Sequence, residues 1–237
     1  MSDFRHKECN FKDMYKTRLL FLILILSFSP LALKAQDDVL MMELRAGDNA
    51  AFGGFAAASI TANRTFCGDF SVRGGMQYNT IGKTALEASP AYNLPFEWGK
   101  LAVEAMLSYN NLSSINSFAI GAGARLDSRS LGARLGYYYR LYCGGGDKIK
   151  EPFNVFYELR VHLLKKIVDW NLDLVITNCE VFELERHFQP SFIAEGTFYP
   201  MSKLGISFGI GCKPSGMFNM SADYYQSYLK TGVCYRW

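Results

Sequence analysis

The nine residues Leu229-Lys230-Thr231-Gly232-Val233-Cys234-Tyr235-Arg236-Trp237 change polarity at almost every step. Side chains of an extended strand point to opposite faces with period two, so Leu229, Thr231, Val233, Tyr235 and Trp237 share one face. Lys230, Gly232, Cys234 and Arg236 share the other. The stretch predicts a strand with one apolar, aromatic-ended face and one charged face. The chain upstream repeats the pattern.

From Val39 onward, twelve segments of nine to twelve residues alternate in the same way, separated by turn-like residues. They run roughly over 39–47, 52–62, 69–79, 83–94, 99–109, 117–127, 130–141, 153–164, 168–177, 188–199, 203–213 and 227–237. A strand that crosses a bilayer at a tilt needs about 9 to 11 residues, and these lengths match. In the eighth segment Phe153, Val155, Tyr157, Leu159, Val161 and Leu163 oppose Asn154, Phe156, Glu158, Arg160 and His162. In the eleventh, Leu204, Ile206, Phe208 and Ile210 oppose four small residues, Gly205, Ser207, Gly209 and Gly211. Mid-segment charges (Glu43, Arg45, Arg73, Glu87, Glu104, Arg125, Arg134, Arg140, Glu158, Arg160, Asp173, Glu195, Lys230) fall on the less apolar face.

Alternation alone does not say which face points outward, because a soluble β-sandwich or a lipocalin-like barrel turns its apolar face to a core. Three features favour an apolar exterior. The polar face is rich in Gly and Ala, which suits a crowded interior. Apolar-face aromatics such as Phe70, Tyr78, Phe118, Trp170, Phe192, Phe198, Tyr235 and Trp237 gather near segment ends, as interfacial girdles do. From the fifth segment on, long connections (110–116, 142–152, 178–187, 214–226) alternate with short turns (128–129, 165–167, 200–202). The first two long-side connections, 48–51 and 80–82, are short and fit this rhythm less well.

A terminal strand that is apolar on one face and charged on the other, ending in Tyr235-Arg236-Trp237, resembles the closing strand of bacterial outer-membrane β-barrels. The alternating segments extend the resemblance over residues 36–237, as architecture and without pointing to a subfamily. It implies an all-β, transmembrane antiparallel barrel of about 12 strands, residing among outer-membrane lipid in the cell outer membrane. It also implies periplasmic chaperones and the barrel-assembly machinery as partners in biogenesis, with Leu229, Val233, Tyr235 and Trp237 as the assembly signal.

The only long apolar run, Leu19 to Phe28, follows Lys16 and Arg18 and precedes Pro30 and Ala35. This is the layout of a cleavable signal peptide, too short for a membrane anchor. We expect residues 1–35 to be removed, with Met14 as a candidate start, and residues 36–237 to form the single barrel domain. The remaining cysteines, Cys67, Cys143, Cys179, Cys212 and Cys234, are odd in number and show no metal-ligand spacing. Cys143 and Cys179 both fall in long connections, where a disulfide is open. A formal charge of +3 without a basic cluster gives no reason to expect nucleic acid.

No phosphate loop, nucleophile elbow, cofactor motif or metal cluster appears, and no catalytic residue is assigned. His187 and Ser191, flanked by Glu183 and Glu185, are the one pair that invites comparison with outer-membrane lipases. Solvated loop residues explain them as well. The informative constellation is the inward charge set Glu43, Arg73, Glu87, Glu104, Glu158, Arg160, Asp173 and Glu195. Placed by strand direction, its acids gather near mid-height, with Arg45, Arg140 and Lys230 above and Lys100, Arg125, Arg134 and Arg236 below. Two expectations follow: a net acidic waist that favours cations in an open lumen, or acids and arginines paired across a filled one. Inward Phe55, Met106, Tyr138 and Phe156 support the second. The functions in play are a porin-like pore, a closed barrel acting through its outer loops, and a lipid-modifying enzyme.

Overall fold

Period-two alternation is realised as twelve strands. The computed structural model describes residues 38–51, 53–66, 69–80, 82–112, 115–143, 153–167, 169–179, 189–215 and 224–237. The expected signal peptide, Cys67, Glu183, Glu185 and His187 lie outside them. The strands are β1 (Val39–Asn49), β2 (Gly53–Phe66), β3 (Phe70–Asn79), β4 (Lys83–Phe96), β5 (Gly99–Leu112) and β6 (Ile115–Ser128). They continue as β7 (Leu131–Cys143), β8 (Phe153–Ile167), β9 (Trp170–Thr177), β10 (Ser191–Phe198), β11 (Leu204–Pro214) and β12 (Tyr224–Arg236). Each pairs antiparallel with its sequence neighbours, and β1 pairs with β12 from Val39↔Arg236 to Asn49↔Gln226, closing the barrel. Closure leaves no strand edge unpaired, the condition for backbone to cross a bilayer as sheet. No helix among the described residues is long and apolar enough to cross a membrane.

The faces sort as the alternation requires, and they sort inside out. On β5, Val103 is 55% exposed and its neighbour Glu104 is 3% exposed. Leu107, Ile120, Leu135, Phe208, Ile210 and Leu229 are exposed on the outer wall as well. An exterior this apolar is stable only in contact with hydrocarbon. Aromatic pairs ring the end that carries the short turns: Phe66 with Phe70, Phe96 with Trp98, Trp170 with Phe198, and Tyr235 with Trp237, at centroid separations of 4.8 to 6.4 Å. Phe70 and Tyr78 mark the two girdles on β3. They stand about 26 Å apart along the strand, or about 20 Å of height at a 40° tilt, which fits an apolar band of about 25 Å.

Several connections are shorter than the sequence suggested. Asn110, Asn111 and Asn116 read as loop residues, yet β5 and β6 continue through them to Leu112 and Ile115. Their side chains are used between strands, Asn111 Nδ2 and the Tyr109 hydroxyl both donating to Asn116 Oδ1, at 2.6 and 2.8 Å. Polar side chains that bond across the hairpin extend it where composition predicts a break. At the short connection between β3 and β4, Gly82 takes a positive φ of 80°, and Asn79 Oδ1 accepts from the Lys83 N–H at 2.9 Å.

The interior is filled unevenly. Toward the end that carries the long loops, Met106, Ala119, Tyr138 and Phe156 form one cluster, and Phe55, Ala57 and Tyr228 another. The Phe156 ring lies over bare backbone, since a Cβ on Gly123 would come within 2.6 Å of it. Glycine on β6 is therefore what admits the ring. Cys179 packs against this cluster inside the wall, whereas Cys143 is exposed at the end of β7. Both are free thiols, so the disulfide left open by the sequence is absent. Strand parity puts the two side chains on opposite sides of the barrel wall.

Candidate functional site

Inward parity, strand after strand, brings the lumen charges together. Glu43 on β1 meets Lys230 on β12 at 3.3 Å across the closing seam, and Arg45 at 3.6 Å. Lys230 also bonds Glu195, which bonds Arg160. Arg160 donates through Nη1 to Asp173 at 2.9 Å and through Nη2 to Glu158 at 3.2 Å. His162 continues the chain, with Nδ1 2.8 Å from Asp173 and Nε2 3.4 Å from Asp127. Six strands thus share one network: β1, β12, β10, β8, β9 and, through Asp127, β6.

A second group sits on the opposite wall. Arg134 bonds Glu104, lies 3.5 Å from Glu87 and 3.5 Å from Ser89 Oγ, and places its guanidinium 4.9 Å from the Phe156 ring centroid. Its side chain is 4% exposed and that of Glu104 1%. Charges so enclosed are tolerable only when paired, and this pairing is what the enclosure demands.

These contacts correct the acidic waist. Lys230 from above and Arg134 from below extend to the acids at mid-height, so each carboxylate expected to stand free there is bonded to a cation. Long, flexible basic side chains erase charge layers that backbone height alone suggests. A cavity of about 550 Å³ remains in the lumen, running from Cys179 and Ile193 to Lys100, Arg125 and Arg236 beside the short turns. Its wall carries eight Lys and Arg against five carboxylates, because Glu104 and Asp173 lie behind their partners. The surface a solute meets is net basic.

Arg73 is set apart from the rest of the predicted network. It lines the cavity, but among the described residues it has no hydrogen-bonding or ion-pairing partner within bonding distance. Arg125 is alike in this, and sequence reasoning placed it only as a charge near the short turns. Nothing in the spacing of one strand shows which cation its neighbours leave over. Ser191 is fully buried at the start of β10. On the outer wall of β12, Leu229, Val233, Tyr235 and Trp237 are all exposed, as a lipid-facing terminal strand requires.

A closed twelve-strand antiparallel barrel with an apolar exterior, two aromatic girdles and a charged interior defines a bacterial outer-membrane β-barrel. Solved structures with this fold include the KdgM porin in complex with disordered oligogalacturonate, at TM-score 0.55 and 12% identity over 84% of this chain and 99% of that one. The NanC porin matches at TM-score 0.52 and 10% identity, over 84% and 100%. The outer membrane phospholipase of Salmonella typhi, OMPLA, solved as a dimer with bound calcium, matches at 0.53 and 8%, over 88% and 93%. Identities this low establish the shared fold alone. No family model matches the chain, and no curated protein matches it in sequence.

Proposed function

We propose that this barrel is a narrow, porin-like channel that passes small polar solutes through a charged lumen. The observation that carries the reading is the cavity of about 550 Å³ inside a closed barrel, walled by ionised side chains. A barrel with a purely structural role has no need to keep unfilled, charged space at its centre. The fold shared with the KdgM and NanC porins supports it. The cation preference expected from an acidic waist is not part of the proposal, since those carboxylates are bonded to cations. The test is single-channel conductance of the purified protein in a planar bilayer: discrete steps are expected, and a folded barrel giving none overturns the reading.

The alternative with an observation behind it is a closed barrel that works through its outer loops. Phe55, Tyr138, Phe156 and Tyr228 are all buried on the inward face toward the long-loop end, where they narrow the path. Conductance that appears only after Phe156→Ala or Tyr228→Ala would favour this second reading. The phospholipase shares the fold, but Ser191, the candidate nucleophile, is buried rather than presented to lipid. Absence of lipid hydrolysis by the wild-type protein would retire the enzyme, and hydrolysis unchanged in Ser191→Ala would retire Ser191 as its nucleophile.

A further inference from the structure

Four of the cavity's cations, Arg73, Lys100, Arg125 and Arg236, lie within a few residues of the short-turn end of their strands. Arg236 stacks on the Tyr199 ring at 3.5 Å. Arg73 on β3 and Arg125 on β6 make no hydrogen bond or ion pair with any described residue, yet they are near enough for their charges to repel. Carboxylates in electrostatic range include Glu104 and Asp127 for Arg125 and Glu158 for Arg73. Each is already engaged: Glu104 by Arg134, Asp127 by His162 and Glu158 by Arg160. Two guanidinium groups are thus left facing one space with their donors unused.

The two strands between them, β4 and β5, carry several small inward residues. Arg73 is in register with Ser89 on β4, and Ala102 on β5 with Arg125. Ser89, Ala91 and Ala102 are short inward residues along this path; Asn93, in register with Ala102, is turned to Ser71, and Glu104, in register with Ala91, is held by Arg134, whose guanidinium lies 3.5 Å from Ser89 Oγ. Along β3 the inward sequence is Arg73, Gly75, Gln77. Gly75 leaves the wall bare, and Gln77, 8% exposed and lining the same cavity, has a buried Nε2 donor with no acceptor. A buried donor left unpaired costs about 1–3 kcal/mol, so an acceptor supplied by a ligand would relieve it. Over four residues of strand, Gln77 and Arg73 stand about 13 Å apart at the backbone, and both line the cavity.

We propose that Arg73 and Arg125 form an anion clamp in the lumen, which with Gln77 binds an organic solute bearing two or more carboxylates. One carboxylate takes the paired N–H groups of a guanidinium side-on, the geometry the planar fork matches. A second charge is needed because a monoanion neutralises only one of the two arginines. A solute seated over Gly75 then offers an oxygen to Gln77 Nε2. As the class of solute carried, this rests on the channel reading; as a binding site it is tested apart from it.

The experiment is citrate binding to the purified, folded protein in detergent by isothermal titration calorimetry, for wild type, Arg73→Gln, Arg125→Gln and, as a surface-charge control, Arg129→Gln. Folding of each variant is checked by its heat-dependent gel mobility. Each clamp substitution is expected to weaken binding about tenfold to a hundredfold, the loss of one charge-assisted hydrogen-bonding group, with the control unchanged. If a glutamine variant fails to fold, Arg73→Lys keeps the charge and removes the fork, and is expected to weaken binding severalfold. No citrate binding to wild type, or equal binding by all variants, overturns the clamp. Bilayer conductance separates the two proposals. Steps whose anion preference and citrate block are unchanged by Arg73→Gln overturn the clamp and leave the channel standing. Intact, arginine-dependent citrate binding without conductance steps retires the channel and leaves the clamp.

Discussion

Replacing Arg134 by Met removes a charge while keeping the unbranched stem that packs beside Phe156. Arg134 is the cation bonded to Glu104, whose side chain is 1% exposed, and it lies 3.5 Å from Glu87, whose side chain is 21% exposed. Without it Glu87 retains water and the Ser89 hydroxyl at 3.2 Å. Glu104 keeps no bonded cation and no solvent, with only the charge of Arg125 in range, so the cost approaches that of breaking a buried pair, about 3–5 kcal/mol. The reverse change is milder. Glu104→Gln leaves Arg134 paired with Glu87 and offers its Nε–H an amide oxygen in place of the carboxylate, at a cost of about 1 kcal/mol. Arg134→Met with Glu104→Met removes both charges and should recover most of the loss. In guanidinium unfolding of the barrel in lipid vesicles, with a slope of about 4 kcal/mol per molar, Arg134→Met lowers the midpoint by about 1 M and Glu104→Gln by about 0.3 M. A double-mutant cycle gives the coupling. Equal, small effects of the two single changes would show that water screens the pair, and would refute an enclosed lumen network.

Three other outcomes follow from the same geometry. Ile210→Arg, mid-strand on the lipid face, should cost about 2–4 kcal/mol in vesicle unfolding, whereas Met201→Arg in the β10–β11 turn should stay within about 0.5 kcal/mol; equal costs would contradict the membrane placement. Gly123→Ala would bring a Cβ within 2.6 Å of the Phe156 ring and 2.7 Å of the Leu135 carbonyl, so about 1–3 kcal/mol of overpacking is expected, partly relieved by Phe156→Leu. Burial pushes the Cys179 thiol up to about 11, so its reactive thiolate is scarce at neutral pH and increases as pH rises toward that value. Maleimide labelling of folded protein should therefore mark Cys143 early and Cys179 slowly, with the Cys179 rate climbing steeply above pH 9; equal rates at neutral pH would refute the inward placement.

Strand number, order and facing were legible because a strand's side-chain period is fixed by its backbone and survives without tertiary context. The segments read at 83–94 and 203–213 became Lys83–Phe96 and Leu204–Pro214, and Phe55, Met106, Tyr138 and Phe156 do point inward. Boundaries were legible only where composition and hydrogen bonding agree. At Asn110, Asn111 and Asn116 they do not, since polar side chains that suggest a loop are bonded across the hairpin. The fate of each charge was not legible. Lys230 reaches Glu43 across the closing seam, and Arg160 reaches Glu195 across an intervening strand. Which residues meet there depends on the stagger of neighbouring strands and on how far long side chains extend, and neither quantity is written in one strand's alternation. The sequence by itself determined that the chain makes a twelve-strand barrel with its charges inside. Only the closed tertiary structure decided that the acids are bonded to cations and that Arg73 and Arg125 remain over, because ion pairing is settled by distances between strands that meet only when the barrel closes.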